Sequence, residues 1–151
     1  IVAPGINGKM SEINAAFGLL QLKHVDSAIA KRAAVDALYR QKLSNVRGIS
    51  LPPLSRETKH NYPYFPILIN SDYPFSRDRL YQALRVNGIY ARRYFYPLIS
   101  NMPMYRGFPS SAIDNLKQAN VISEQVLCLP IYPELSVTEQ ERIISIIKEI
   151  Q

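Results

Sequence analysis

Residues 126–150, VLCLPIYPELSVTEQERIISIIKEI, contain a short apolar run followed by an amphipathic segment. The run at 126–129 predicts a strand, because it is short and continuously apolar. Ser136 and Glu139 have the spacing of a capping box, which predicts that a helix begins there. Four isoleucines of this helix form one apolar stripe: Ile143, Ile146, Ile147 and Ile150. The stripe favours packing against a core over binding to a partner protein.

The middle of the chain predicts two more strands and two more helices. The predicted elements are a strand at 62–69, a helix from Ser76 to Asn87-Gly88, a strand at 89–96 and a helix from Ser111 to about Glu124. Pro63 and Pro66 lack backbone donors, so the first of these strands is expected at the edge of a sheet. Ser76 is a favourable N-cap, and Asn87-Gly88 is a common helix end.

The N-terminal region predicts one long helix or two helices in tandem. Residues 11–43 contain no proline, their apolar side chains recur at helical spacing, and Ser11 can cap the start. A kink is expected near Gly18 or at 24–27, and residues 45–53 end the helical region. Together with the later elements, this order predicts an α/β (α+β) domain in which helices cover a small sheet. The first helix should leave apolar surface for another domain or subunit.

The composition is that of a globular domain. The 151 residues are 47% hydrophobic and 20% charged, and no apolar run is long enough for a signal peptide or a membrane span. Cys128 is the only cysteine, so no internal disulfide is possible and a reducing cytoplasm is expected. The apolar neighbours of Cys128 predict a buried thiol. The net charge of +6 is scattered, which disfavours nucleic-acid binding. His24 and His60 are too isolated to bind a metal.

Four blocks of sequence resemble segments of one enzyme family and occur in the family's order. The blocks are GINGKMSE at 5–12 with AAFGLLQL at 15–22, Gly88-Ile89, RYFYPL at 93–98 and ISEQVLCLPIYP at 122–133. On these motifs the chain is identified as a member of the DegT/StrS (DegT/DnrJ/EryC1/StrS) family of sugar aminotransferases, which depend on pyridoxal phosphate. The resemblance implies the fold of aspartate aminotransferase, fold type I. Residues 1–10 are then a loop that leaves the catalytic domain, and 11–151 are the C-terminal small domain of a longer protein.

The resemblance implies an amino-transfer reaction. In the family, pyridoxal phosphate takes an amino group, usually from glutamate, and passes it to a keto-sugar carried on a nucleotide. The lysine that forms the Schiff base with the cofactor lies upstream of the Gly-x-Asn segment, and no lysine of this chain has that context. No catalytic residue is therefore expected here, and the chain alone should be inactive. The expected partners are the nucleotide sugar, an amino-acid donor and a second subunit in a homodimer.

The resemblance also implies contacts with the cofactor from the first loop. Asn7 matches the asparagine that reaches the cofactor phosphate of the other subunit, and an amide donor suits a phosphate oxygen. Taken alone, the position of Asn7 between Gly5 and Gly8 favours a turn residue that needs no ligand. Lys9 matches a position that is commonly arginine, so the charge is kept but the bidentate fork is lost.

Substrate contacts are implied for Arg93, Tyr94 and Tyr96, which match the segment that approaches the sugar nucleotide in relatives. Tyrosine hydroxyls can bond sugar oxygens, and arginine can bind a diphosphate. If the segment is a strand, alternation separates Tyr94 and Tyr96 from Arg93 and Phe95, so only some of them serve one ligand. Leu98 is not followed by the histidine of many relatives, which points to the subgroup that handles dTDP-linked amino-deoxy sugars.

Two other functions remain open at this point. Family members with histidine in place of the lysine use the pyridoxamine form of the cofactor to remove a sugar hydroxyl, which would make the protein a dehydratase. Alternatively, the chain is a binding or dimerisation module without chemistry. The residue at the upstream lysine position separates an aminotransferase from a dehydratase. Absence of the cofactor absorbance from the whole protein would favour the binding module. For the aminotransferase, the expected product is an amino sugar for a surface polysaccharide or a glycosylated metabolite.

Overall fold

The computed structural model describes residue 5, residues 8–55 and residues 57–150. Its helices and strands are α1 (Glu12–Leu22), α2 (Val25–Leu43), β1 (Ile49–Ser50), β2 (Phe65–Ile69), α3 (Arg77–Val86), α4 (Lys117–Gln125), β3 (Val126–Leu129) and α5 (Val137–Glu149). The strands form one antiparallel sheet in the order β1-β2-β3. The predicted α/β architecture, with helices packed around a small sheet, is confirmed.

The position of β2 in the sheet corrects the prediction of an edge strand. β2 is central, with Ile69 opposite Ile49 of β1 and Phe65 opposite Leu129 of β3. Pro66 is tolerated because it lies opposite Cys128, whose backbone N–H and C=O both bond to Arg92 on the other side of β3. The missing donor of the proline therefore removes no bond between β2 and β3.

The predicted strand at 89–96 is wrong. Only Arg92 makes a bridge to Cys128, through two backbone hydrogen bonds of 2.9 and 2.7 Å, and the chain then turns away from the sheet. Because the segment pairs at a single residue, its side chains do not alternate between two faces.

The predicted helix from Ser111 begins later, at Lys117. Two short 3-10 turns precede it, Pro109–Ser111 and Ile113–Asn115. Within these turns the Ser111 hydroxyl donates to the carbonyl of Tyr105, and the Asn115 amide donates to the carbonyl of Pro109. Such side-chain bonds to nearby backbone compete with helix formation.

The N-terminal region forms two helices in tandem, which is one of the two predicted alternatives, and the break between them lies at Lys23 and His24. Gly18 lies inside α1 and does not kink it into two elements. Ser11 accepts a hydrogen bond from the backbone N–H of Asn14, which confirms the predicted N-cap. The caps at Ser76 and at Ser136, with its capping box to Glu139, are confirmed in the same way.

The core lies between the sheet and helices α2, α3 and α5. Its fully buried large side chains are Tyr39, Leu43, Phe65, Ile67, Leu80, Leu84, Leu127 and Ile147. The isoleucine stripe of α5 packs here as predicted, with Ile143 and Ile147 buried and Ile146 and Ile150 partly buried. The buried side chain of Gln140 is paired across elements, because its amide donates to the carbonyl of Val35 at 2.6 Å.

Helix α1 lies outside this core, and none of its residues is buried. Ile13, Phe17 and Leu20 lie at helical spacing and are 82%, 63% and 55% exposed. This agrees with the prediction that the first helix leaves apolar surface uncovered. Among the described residues, no helix is both long and apolar enough to cross a membrane.

A buried tyrosine predicts how stability depends on alkaline pH. The Tyr73 hydroxyl donates to the carbonyl of Ile147 at 2.7 Å, and burial raises the pKa of Tyr73 from 10 to about 12. As the pH rises, Tyr73 therefore ionises first in the unfolded chain. Its contribution to the free energy of unfolding is fully present below pH 10 and falls as the pH rises towards 12. Tyr73→Phe should cost about 1–3 kcal/mol at neutral pH, because the carbonyl loses its donor. It should also make the alkaline decline shallower.

The measurement is chemical unfolding followed by circular dichroism on both sides of pH 10. Some decline should persist, because burial also raises the pKa of Tyr39. Tyr90→Phe is the control, since Tyr90 is 73% exposed. If the free energy of unfolding of Tyr73→Phe fell above pH 10 as steeply as that of the wild type, Tyr73 would not be the cause of the decline.

Candidate functional site

The substrate residues predicted from the sequence lie on a turn that leaves the sheet beside β3. Gly88, with a φ of +75°, ends α3, and the buried side chains of Ile89 and Ala91 anchor the chain that follows. After the bridge at Arg92, residues 93–96 form the turn. It carries partly exposed side chains at a fixed distance from the core.

Arg93 is held by three neighbours. Its Nη1 lies 3.0 Å from Oδ1 of Asp78, and its guanidinium lies over the rings of Tyr81 at 4.7 Å and Tyr96 at 5.1 Å. A guanidinium over an aromatic face is attracted by the ring quadrupole. The structure therefore brings Arg93 and Tyr96 together, whereas strand alternation predicted that they would point to opposite faces.

Tyr94 packs on the other side of the turn. Its ring meets Tyr64 edge-on and lies tilted against Phe95, with ring centroids 5.0 Å apart in both pairs. The Tyr94 hydroxyl accepts a hydrogen bond from Arg92, which raises the pKa of Arg92. Strand alternation predicted that Tyr94 and Phe95 would point to opposite faces. Their rings are instead in contact, because this segment is a turn and not a strand.

Two cavities meet at Tyr94. The larger, about 570 Å³, lies above Cys128 and Leu129 and receives the side chains of Tyr64, Arg92, Tyr94, Tyr132 and Arg142. The smaller, about 300 Å³, is formed by residues 93–97 with Ile99 and Met102. Cavities of this size, with aromatic walls and a few polar groups, are typical of small-molecule sites.

The larger cavity has a positive lining. Glu139 is the one carboxylate among its described lining residues. Its oxygen accepts hydrogen bonds from the Ser136 hydroxyl and backbone N–H, and these lower its pKa. The described lining therefore carries two guanidinium groups, those of Arg92 and Arg142, against one carboxylate. Such a site suits an anionic ligand with hydroxyl groups or a ring that stacks on tyrosine.

Cys128 lines this cavity, and its thiol is not a nucleophile. Cys128 is buried, as predicted, and burial raises the pKa of its thiol to about 11. A thiol with such a pKa stays protonated near neutral pH. No group of three histidine, cysteine, aspartate or glutamate side chains among the described residues is placed to hold a metal.

The predicted cofactor residues precede α1. Lys9 is exposed just ahead of the Ser11 cap, whereas Asn7 lies outside the described residues. The contact of either residue with a cofactor stays a prediction.

Sequence reasoning missed several residues of the site, namely Tyr64, Arg92, Tyr132 and Arg142. The sequence contains a signal for three of them. Tyr64 follows Pro63 and Tyr132 precedes Pro133, each close to the end of a strand, and Arg92 is one of two adjacent arginines. No local pattern shows that they converge, because the sheet brings them together.

Comparison with known proteins gives one consistent family. A model of the DegT/DnrJ/EryC1/StrS aminotransferase family matches residues 2–148. A dTDP-4-amino-4,6-dideoxy-D-glucose transaminase of Escherichia coli is 57% identical over 136 residues, which cover 90% of this chain and 37% of the relative. A transaminase of the same name from Shigella dysenteriae is 48% identical and is matched over 97% of this chain and 40% of its own.

Solved structures agree with this result. S. venezuelae DesV, in complex with a ketimine intermediate, superposes with a TM-score of 0.86 at 28% identity, covering 98% of this chain and 38% of DesV. The chain thus spans about two fifths of the length of the curated relatives it matches.

Proposed function

We propose, because the chain belongs to the DegT/DnrJ/EryC1/StrS aminotransferase family, that the whole protein transfers an amino group from glutamate to a dTDP-linked keto-deoxy-sugar. The observation that carries this proposal is the 57% identity to a dTDP-4-amino-4,6-dideoxy-D-glucose transaminase over 90% of the chain. These residues then form the C-terminal small domain, 11–151, after a connecting loop at 1–10. They supply binding groups, and the catalytic lysine is expected upstream.

Pyridoxal phosphate fits the chemistry of the loop before α1. The exposed ammonium of Lys9 suits a phosphate oxygen as a point charge, and the side-chain amide of Asn7 supplies a hydrogen-bond donor. When bound, the cofactor supplies the electron sink through which an amino group moves between an amino acid and a keto-sugar. The role proposed for this chain is to bind the phosphate group of the cofactor.

The sugar nucleotide is proposed to bind at the turn of residues 93–96. The Tyr94 and Tyr96 hydroxyls are partners for sugar oxygens, and the guanidinium of Arg92 faces the larger cavity, where it can meet a diphosphate. Arg93 is already bonded to Asp78, so its contribution is to the position of the turn more than to the ligand.

A homodimer is proposed through α1. Ile13, Phe17 and Leu20 recur at intervals of four and three residues, which is the spacing of a seam between two helices. The seam is exposed, and α1 follows Asn7 and Lys9 in the sequence. A second copy of the protein on this seam is proposed to place its cofactor within reach of these two residues. The proposed setting is the cytoplasm, and the amino sugar is destined for a surface polysaccharide or a glycosylated metabolite.

The experiment that tests the function uses the whole protein with pyridoxal phosphate, glutamate and the dTDP-linked 4-keto-6-deoxy-sugar. Mass spectrometry should find the amino sugar nucleotide and 2-oxoglutarate in equal amounts, and the GDP-linked sugar should react more slowly. A product that has lost a hydroxyl without gaining an amine would instead identify a dehydratase. No reaction and no bound cofactor would leave only a binding module.

Asn7→Ala in the whole protein should weaken cofactor retention roughly tenfold, because a charge-assisted bond to phosphate is removed. The measurement is the cofactor absorbance that remains after dialysis at a series of cofactor concentrations. Asn45→Ala is a matched control, since Asn45 is an exposed asparagine after α2. Equal retention by the two variants would remove Asn7 from the site.

A further inference from the structure

Arg77 is a buried charged residue next to the candidate site. It begins α3 and is 2% exposed. Its Nη1 donates to the carbonyl of Ser123 at 2.9 Å and lies 3.4 Å from that of Val126. Ser123 lies in the last turn of α4, and Val126 is the residue that caps this helix and begins β3. A cation at this helix end is favoured by the helix dipole. The guanidinium thus ties the start of α3 to the end of α4.

The other nitrogens of Arg77 have weaker partners. Nε lies 2.8 Å from Oδ1 of Asp78, and Nη2 lies 3.8 Å from Oε2 of Glu124, which are ion-pair distances. Neither nitrogen makes a hydrogen bond of acceptable angle to a described residue. The two carboxylates of these pairs are 54% and 64% exposed, so solvent screens their attraction to the buried guanidinium. These two ion pairs therefore add little to stability.

The fifth neighbour is Tyr96, whose ring lies 4.6 Å from the guanidinium of Arg77. Arg93 approaches the same ring at 5.1 Å, and Arg93 and Arg77 share one oxygen, Oδ1 of Asp78. These four residues form a closed set of contacts, which we call the Arg77 clamp: Arg77, Asp78, Arg93 and Tyr96. One member is buried in the domain, and Tyr96 is 41% exposed at the cavity.

We propose that Arg77 is a positioning residue that fixes the ring of Tyr96, and with it the turn of residues 93–96, for contact with the sugar nucleotide. The inference rests on the proposed function, because it needs Tyr96 to meet the substrate. Arg77 itself is buried and does not reach the ligand. Its cation attracts the ring face while the carbonyls at the end of α4 hold the cation in place.

Arg77→Met should raise KM for the sugar nucleotide about fivefold to tenfold, with KM for glutamate unchanged and kcat within about twofold. Arg77→Lys keeps a cation and should recover part of the loss. Arg85→Met is the matched control, since Arg85 is an exposed arginine of the same helix. The decisive variant is Arg77→Met combined with Tyr96→Leu: the Arg77 effect on KM should vanish once the ring is gone.

Hydrogen exchange gives a readout that needs no substrate. The amides of Arg92 and Cys128, which donate to each other's carbonyls where the turn begins, should exchange faster in Arg77→Met and keep the wild-type rate in Arg85→Met. An equal rise of KM with and without the Tyr96 ring, or an unchanged exchange rate, would overturn the proposal. If Arg77→Met does not fold, Arg77→Lys decides by the same two measurements. If the wild type transfers no amino group, the proposed function fails, and the exchange rates still decide whether Arg77 holds the turn.

Discussion

Gly48→Ala is expected to lower the free energy of unfolding by about 2–5 kcal/mol. Gly48 has a φ of +75°, which costs a residue with a side chain roughly 1–2 kcal/mol. A Cβ at this position would also lie 2.1 Å from the backbone N of Tyr73 and 2.5 Å from its Cα. Backbone atoms cannot move aside as a flexible side chain can, so overpacking adds about 1–3 kcal/mol.

The cost is large because the turn at Gly48 joins several parts of the fold. The Gly48 carbonyl accepts a hydrogen bond from the N–H of Asn70 at 2.8 Å, immediately before β1 pairs with β2. Displacing Tyr73 would strain the buried bond from its hydroxyl to Ile147 in α5. Urea unfolding at neutral pH, followed by circular dichroism, measures the loss.

Gly88→Ala separates the two causes. Gly88 has the same φ of +75°, but no atom lies within 4 Å of a Cβ built there. Its variant should therefore lose only the conformational part, about 1–2 kcal/mol. Equal losses in the two variants would show that the contact with Tyr73 relaxes and that the backbone conformation alone sets the cost.

The features that could be predicted from the sequence are those decided within a few residues. Ser11, Ser76 and Ser136 each accept a hydrogen bond from a backbone N–H three residues later, so the cap and its partner lie in one short window. The apolar run at 126–129 and the stripe of α5 are equally local, and both are confirmed.

The features that were predicted wrongly depend on distant pairing. β2 is central because β1, only two residues long, pairs with it from about twenty positions earlier. Nothing in Ile49 and Ser50 by themselves indicates a strand, and without β1 the two prolines of residues 62–69 suggested an edge. Residues 89–96 have strand-like composition, but their pairing ends after Arg92 because the chain turns to pack against α3.

The candidate site also depends on contacts between segments that are distant in the sequence. Arg93, Tyr94 and Tyr96 were named from a resemblance to a family and not from periodicity. Their neighbours come from distant segments: Tyr64 precedes β2, and Asp78 lies in α3. The convergence of these side chains is a property of the fold, so no local window of sequence contains it.

Phe17→Glu in the whole protein is expected to convert the proposed dimer to monomers. Phe17 is 63% exposed on the α1 seam, between Ile13 and Leu20. A symmetric contact contains each substitution twice, so losing the burial of two rings costs roughly 3–6 kcal/mol, before the cost of desolvating two carboxylates. The dimer dissociation constant should rise by at least about a hundredfold, measured by sedimentation equilibrium.

The fold of the domain should not change in this variant, because α1 contributes no buried residue to the core. The circular dichroism spectrum therefore separates loss of the dimer from loss of folding. Gln21→Glu is the matched control: Gln21 is exposed on the same helix, and the change adds the same charge without removing apolar surface. A Phe17→Glu protein that stays dimeric would place the subunit contact elsewhere. The exposed seam would then have to be covered by another part of the same polypeptide, since apolar stripes of this kind are rarely left in water.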